Sequence, residues 1–363
     1  MKTLFISSVT DAAGKNMVIA GIGQKMIADK YKIGFFKPLA NKPFRQGNTL
    51  SDEDVLFFHK TFNLTDHVGN LSCVAVTDDL IKEVISGKTK INLAERIKQN
   101  LAKISPDKDI MLVKGLGQIY RGIGLGLSES SLIKEFNWPT IMIDGYHSNR
   151  FTLPLDIIEG FITAKKLLGD LLIGVIFNYV PENQLSYLKE QVVPFLQKEH
   201  NIEVLGLIPA STRLTAVTVK ELKDSLNAEL LCGADKEDAI IEDFCLSTMN
   251  MENDLKYFRQ MHCKAIIISG DRTEIQLAAL ETNIQCLILT GKLYPADIIL
   301  SKAEEKQVPI LLVRDNSLET AERVERLKRH LGFYTPSKIP EAIKLTQKNV
   351  NMKALYAKIG LKG

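Results

Sequence analysis

"KTLFISSVTDAAGKN", residues 2–16, runs from a short apolar strand pattern through a small polar turn into the text of a helix, Asn16 to Lys30. A loop that cradles phosphate needs glycine where backbone crowds the anion and N–H groups aimed inward at a helix start. It also needs a lysine for the outer phosphates and a Ser/Thr hydroxyl for magnesium. Gly14 and Lys15 supply one glycine and the lysine, and Thr10 and Asp11 are candidate caps. Ser8 or Val9 stands where the first glycine belongs, and Asn16 has no hydroxyl, though its amide oxygen can reach a cation or a water. The plain alternative is an ordinary strand-to-helix turn capped by Asp11.

Around that loop, short apolar runs alternate with amphipathic stretches. Strands are expected at Thr3 to Ser7, Ile33 to Lys37, Ile110 to Lys114, Thr140 to Asp144, Leu172 to Phe177 and Glu203 to Ile208. Strands apolar on both faces and spaced by helices such as Asn149 to Leu168 imply an α/β fold, a parallel sheet covered on both sides. Ligands of such sheets bind beyond the carboxyl ends of the strands, so "KPLAN", "KGLGQ", "DGYHSN" and "NYVPEN" should meet the loop in one crevice. A second, smaller α/β set follows, with strands at Ala228 to Cys232, Ala265 to Ser269, Cys286 to Leu289 and Ile310 to Val313. The expected division is 1–213, 214–328 and a helical C-terminal appendage, 329–363, broken by Pro336 and Pro340.

The 363 residues carry 46 basic and 43 acidic side chains, a formal charge of +3, which argues against a nucleic-acid groove or an anionic membrane as partner. No signal-peptide pattern opens the chain and no apolar run reaches the roughly 18 residues of a membrane span, so a cytoplasmic protein is expected. Cys73, Cys232, Cys245, Cys263 and Cys286 lack CxxC spacing and read as buried reduced thiols. The histidines show no metal-binding spacing; His147, beside Asp144 and Arg150 at a strand end expected to face the crevice, is the one candidate among them, against its reading as a solvated loop histidine. "GLSESSLIKEF" holds Ser128 and Ser130 without a nucleophile elbow, and "GQIYRGIGLGLS" reads as a loop at the crevice whose Arg121 meets an anion or a neighbouring subunit. No catalytic residue is assigned.

Taken in order, "KTLFISSVTDAAGKN", "KIGFFKPLANKP", "SDEDVLFF", "IMLVKGLGQ", "GVIFNYVP" and "VLGLIPAS" resemble the dethiobiotin synthetase-like branch of the P-loop proteins. "SGDRTEIQLAALET" and "CLILTGKLYPADIILSKAEEKQVPILLV" resemble the DRTGG domain, from about Leu214 to Arg326, with Glu274 where the family has its first glycine. The pairing is similar to the amino-terminal regulatory half of long phosphate acetyltransferases, and to stand-alone phosphotransacetylase-family proteins that lack the acyltransferase domain. The resemblance implies that Lys15 and Lys37 bind phosphate and carbamate, that Asp54, with Asp52 its neighbouring candidate, binds magnesium, and that Asn178 meets adenine. It also implies a loop Thr, an Asp and a Glu around the metal, where this sequence has Asn16, Asp54 and Lys114. Exchanging a carboxylate for Lys114 changes the local charge by two units. At an effective dielectric of about 20 and about 4 Å, each unit-charge interaction is worth roughly 4 kcal/mol before screening, enough to eject a divalent ion. Asn41 replaces a Ser near the synthetase substrate, which argues against dethiobiotin formation.

In the second set, Gly270 reads as a tight turn, Asp271 or Thr273 as the start of a helix, and Arg272 and Lys292 as neighbours on one sheet edge. Asp271, Arg272 and Thr273 are therefore candidates for a small-anion or interface site, against a reading in which Asp271 merely caps and Arg272 pairs with a nearby acid. The expectation is a homo-oligomeric regulatory protein that binds ATP, a related nucleotide or another small anion, with magnesium weak or absent and little phosphoryl transfer. The rivals are an active Mg-ATP-dependent ligase or ATPase, with Asp52 and Asp54 holding the metal, and a structural partner subunit of a metabolic enzyme.

Overall fold

The computed structural model describes residues 1–11, 13–41, 43–46, 49–88, 92–125, 128–146, 155–248, 251–260, 264–330 and 338–362. His147, Arg150 and Cys263, singled out above, lie outside them. The chain divides into two compact units, Met1–Ala210 with Ile339–Gly363, and Ser211–Lys338.

The first unit holds strands β1 (Lys2–Ser8), β2 (Ile33–Ala40), β3 (Pro43–Gln46), β4 (Thr49–Asp52), β5 (Ser72–Ala75), β6 (Ile110–Lys114), β7 (Thr140–Gly145), β8 (Leu172–Val180) and β9 (Val204–Pro209). Its helices are α1 (Lys15–Ala28), α2 (Glu53–Thr61), α3 (Asp78–Ile85), α4 (Leu93–Ile104), α5 (Glu129–Glu135), α6 (Leu155–Leu168), α7 (Leu185–Tyr187) and α8 (Val193–His200). Seven strands make one sheet in the order β5-β2-β6-β1-β7-β8-β9, parallel throughout. The chain steps out from β1 to β2 and β5, returns to β6, then crosses to β7, which gathers the ends of β1, β2 and β6 at the point where the winding reverses. All five residues of β6 and all eight of β2 are buried, which is why neither strand alternates polar with apolar. Aromatic side chains fill the space under the helices: Phe35 and Phe58 lie 4.4 Å apart, Phe161 and Phe177 5.1 Å.

The second unit contains α9 (Thr212–Thr215), β10 (Val217–Thr218), α10 (Val219–Leu226), β11 (Glu229–Cys232), β12 (Ile240–Ile241), β13 (Phe244–Leu246), α11 (Met251–Gln260), β14 (Ala265–Ser269) and α12 (Thr273–Leu280). It continues through β15 (Cys286–Thr290), α13 (Asp297–Lys306), β16 (Ile310–Leu312) and α14 (Ser317–His330). Its five-stranded sheet runs β11-β16-β15-β14-β13, with β11 antiparallel to β16 and the rest parallel. Alternation along β14 splits the core: Ile266 and Ile268 join Leu287, Leu289 and Phe258 on one face, while Ala265 and Ile267 join Ile288, Leu311 and Val324 on the other.

The stretch from 329 does not stand as one appendage. His330 ends α14 in the second unit, whereas α15 (Ile339–Asn349) and α16 (Met352–Ile359) belong to the first. Thr346 of α15 fits against Gly21 of α1 so closely that a Cβ there would lie 2.3 Å from it. The Tyr356 hydroxyl donates to Asp29 at 2.6 Å, and Val350 bridges to Gly206 beside the sheet edge. The expectation of reduced thiols holds for Cys73, Cys232 and Cys286 but fails at Cys245, which is disulfide-bonded.

Candidate functional site

The loop after β1 turns on Gly14, the N-cap of α1, at φ 79° and ψ 27°. A Cβ at that position would lie 2.1 Å from Asn178 Nδ2 and 2.6 Å from the Tyr179 hydroxyl, so only glycine fits both the backbone and the space. No side chain caps α1, which corrects the expectation that Thr10 or Asp11 would: Thr10 Oγ1 donates to Asp144 at 2.5 Å, and Asp11 pairs with Arg121 at 2.6 Å. Neither side chain caps the helix start, whose first N–H groups therefore lack a side-chain acceptor among the described residues. Asn178, expected at adenine, donates to the Ala13 carbonyl at 3.0 Å and so holds the loop; its Oδ1 is buried without a partner.

Lys15 lies along the loop. Its Nζ donates to Ser8 Oγ at 2.6 Å, and that hydroxyl lies 2.5 Å from the Thr10 carbonyl and 2.6 Å from the Gly117 carbonyl. Burial pushes the Lys15 ammonium below its usual pKa, opposed chiefly by the negative charge of Glu129 and then by Asp11 and Asp54.

A second knot of charge sits beside it. Lys37, 1% exposed, donates to Asp52 at 2.8 Å, to Asp54 Oδ2 at 2.6 Å and to Asn41 at 2.6 Å. Lys114, at the end of β6, donates to that same Asp54 oxygen. Asn16 Nδ2 covers the other, Oδ1, at 2.8 Å, while its own Oδ1 is buried without a partner. Asp52 also caps α2, accepting from the Asp54 N–H at 2.9 Å. Burial drives the Asp54 carboxyl up, but Lys114 and Lys37 together overcome it and hold the group well below the usual carboxylate range. Lys114 fares the other way: burial outweighs its share of one carboxylate, and its pKa falls to about 7. One carboxylate serves two ammonium groups, so the anion gains more than either cation does.

These groups do not fit Mg²⁺ as they stand. The ion needs free oxygens in near-octahedral array, whereas both oxygens of Asp54 already accept from Asn16, Lys37 and Lys114. Among the described residues no group of three or more His, Cys, Asp or Glu side chains is placed to hold a metal.

Sequence reasoning missed Glu129. It is 2% exposed and accepts from Ser7 Oγ and from the N–H groups of Leu116 and Gly117, the last at 3.0 Å. Burial raises its pKa against those three donors and Lys15. An acid in the first turn of a helix is ordinary text, and no spacing marks this one.

In the second unit, Arg272 is the N-cap of α12 without a capping side chain, Thr273 opens the helix and Asp271 is exposed in the turn. Arg272 donates to Ser247 Oγ at 2.8 Å and lies 3.7 Å from Asp254, which also accepts from Ser247 at 2.5 Å. Asp271 and Thr273 make no side-chain hydrogen bond that joins them to this cluster. The end of β14 neighbours that of β15, as the Ser269–Thr290 pairing shows, which sets Arg272 and Lys292 on one edge.

The AAA domain family profile matches residues 2–218 and the DRTGG domain profile residues 221–327. Phosphate acetyltransferases of Synechocystis sp. and Nitratidesulfovibrio vulgaris are each 22% identical over 376 residues, covering 96% and 98% of this chain but 50% and 51% of those proteins. The chain thus spans about half the length of these curated relatives. An ATP-dependent dethiobiotin synthetase of Caldicellulosiruptor saccharolyticus is 22% identical over 217 residues, covering 57% of this chain and 85% of that one. Among solved structures, the MinC:MinD complex of Aquifex aeolicus is similar at TM-score 0.37 and 15% identity, over 59% of this chain and 84% of that one. The CBS and DRTGG domains of a Clostridium perfringens pyrophosphatase reach 0.27 and 14%, over 41% and 71%. No described helix is long and apolar enough to cross a membrane.

Proposed function

Because this chain belongs to the AAA domain family, with a DRTGG domain behind it, we propose that it is a regulatory protein that binds a nucleotide or related phosphate anion at residues 8–16 without a divalent metal and with little phosphoryl transfer. The observation that carries the reading is Lys114 on Asp54 Oδ2, an ammonium seated on the carboxylate that the metal would need. The uncapped start of α1 offers N–H donors to phosphate, and Lys15 stands beside them. Three buried ammonium groups, Lys15, Lys37 and Lys114, lie among the buried carboxylates Asp52, Asp54, Asp144 and Glu129, so the lysines are held by anions of the chain until a ligand anion draws them toward itself. Metal-dependent phosphoryl transfer relies on an ion bridging the outer phosphates, and this donor set supplies a fixed cation in its stead. The regulatory side of the reading draws on the pairing of an AAA domain with a DRTGG domain along half of an acetyltransferase. Cytoplasmic location, homo-oligomeric assembly and an enzyme partner belong to the same proposal.

Calorimetric titration with ATP, once in chelator and once with magnesium, tests it. Equal affinity in both buffers is expected, and the paired change Asn16→Thr with Lys114→Glu should add a magnesium-dependent gain. Binding that requires magnesium and releases phosphate, or no binding in either buffer, overturns the reading.

A further inference from the structure

The glycines of "KGLGQ" are spent on two side chains. A Cβ at Gly115 would lie 2.5 Å from Glu129 Oε2, and one at Gly117, where φ is +129°, would lie 2.7 Å from Asp11 Oδ1 and 3.2 Å from Lys15 Nζ. The turn after β6 is therefore closed on Glu129 from one side and on the loop lysine from the other.

From this geometry we infer that Glu129 is the positioning residue of the phosphate loop: it clamps the Leu116–Gly117 turn that orients Lys15 and supplies the buried negative charge that keeps that lysine an ammonium. The chain of contacts is continuous. Glu129 accepts from the Gly117 N–H, the Gly117 carbonyl lies within reach of Ser8 Oγ, and Ser8 Oγ accepts from Lys15. Three donors, from Ser7, Leu116 and Gly117, converge on the carboxylate, which is the arrangement of an ionised group rather than a carboxylic acid. Helix α5 does not need Glu129 as a cap, because Ser128 Oγ already accepts from the Ser131 N–H at 3.1 Å. The Glu129 N–H donates to the Arg121 carbonyl at 3.0 Å, tying the far end of the same loop to the same residue. Of the charges that favour the Lys15 ammonium against its burial, Glu129 is the largest.

The inference rests on reading residues 8–16 as a phosphate site, but its first test does not need a ligand. Glu129→Gln keeps an amide oxygen for the two backbone N–H groups, and the Ser7 hydroxyl can turn to accept from the amide, so charge alone is lost. Lys15 in the 13C-lysine-labelled chain is titrated by NMR, its resonance assigned with Lys15→Arg. In Glu129→Gln its midpoint should fall by about one pH unit or more, whereas Ser7→Ala, which removes one donor and no charge, should leave it in place. Metal-free ATP affinity of Glu129→Gln, measured at a pH above both midpoints, should drop by up to about tenfold for each unit of that shift. An unmoved midpoint in Glu129→Gln, or an equal shift in Ser7→Ala, overturns the inference whatever the binding. Failure of the native chain to bind ATP overturns the proposed function and leaves the NMR result to judge Glu129.

Discussion

The two sheets of this chain end in different chemistry at their carboxyl edges. Beyond the first, Lys15, Lys37, Asp52, Asp54, Lys114 and Glu129 are all under a tenth exposed; beyond the second, Asp254 is buried but its partner Arg272 keeps 30% of its side chain exposed. The other buried polar groups there, Ser247, Gln276 and Thr290, are neutral. Burying paired ions seldom adds net stability over apolar packing, so six of them at one edge favour the proposed anion site over a purely structural role. At the second edge, the Ser247 hydroxyl lies between Arg272 and Asp254.

That contrast breaks most visibly when each edge loses its central carboxylate. Asp54→Ala strands Lys37 and Lys114 without the oxygen they share, which should cost about 3–5 kcal/mol in urea unfolding. Asp254→Ala leaves an arginine that can turn to water and a serine that can hydrogen-bond elsewhere, which should cost about 1–3 kcal/mol. Equal losses would mean that the first edge is no more strained by charge than the second.

The difference between the edges was only half legible in the sequence. Lys15 is legible as the lysine of a glycine loop at a helix start, and Lys37, Asp54 and Lys114 through the family resemblance, and the fold brings all four together. Glu129 stays silent because its role depends on Gly115, fourteen residues earlier, clearing space for it and on the N–H groups of Leu116 and Gly117 turning toward it, a fact of three dimensions. Thr10 and Asp11 mislead for a related reason: both residue types make good caps, but partners distant in sequence, Asp144 and Arg121, take them first. The amphipathic text of α15 shows that one face is buried without showing that Gly21 of α1 receives it.

A gentler perturbation of the same edge is pH. Lys114, lowered to about 7 mainly by burial, is an ammonium below that pH and an amine above it. Metal-free ATP affinity should therefore fall as pH rises through about 7, by up to tenfold, and Lys114→Met should flatten the profile. Stability should move the other way. Between about 7 and the ordinary lysine value of 10.5, the unfolded chain holds a proton that the native chain has lost, so this group makes stability rise with pH across that window. Affinity that stays level in the native chain from pH 6 to 9 would remove Lys114 from the binding account.

The smallest effect separates fold from function within the first edge itself. Arg121 and Asp11 pair at 2.6 Å with side chains 37% and 48% exposed, so water and salt screen them, and Arg121→Ala should change stability by no more than about 0.5–1 kcal/mol. Asp11 is nevertheless one of the charges that act on Lys15, and one of its oxygens lies 2.7 Å from the Cβ position that Gly117 forbids. Freed from Arg121, that carboxylate becomes a stronger competitor for Lys15 and a stronger repellent for phosphate, so ATP should bind about two- to fivefold more weakly while unfolding barely moves. The loss should shrink as salt is raised from about 0.05 M to 0.5 M, since the extra repulsion is screened. A stability loss larger than the affinity loss would instead make the pair a structural strap, and the first edge would then resemble the second.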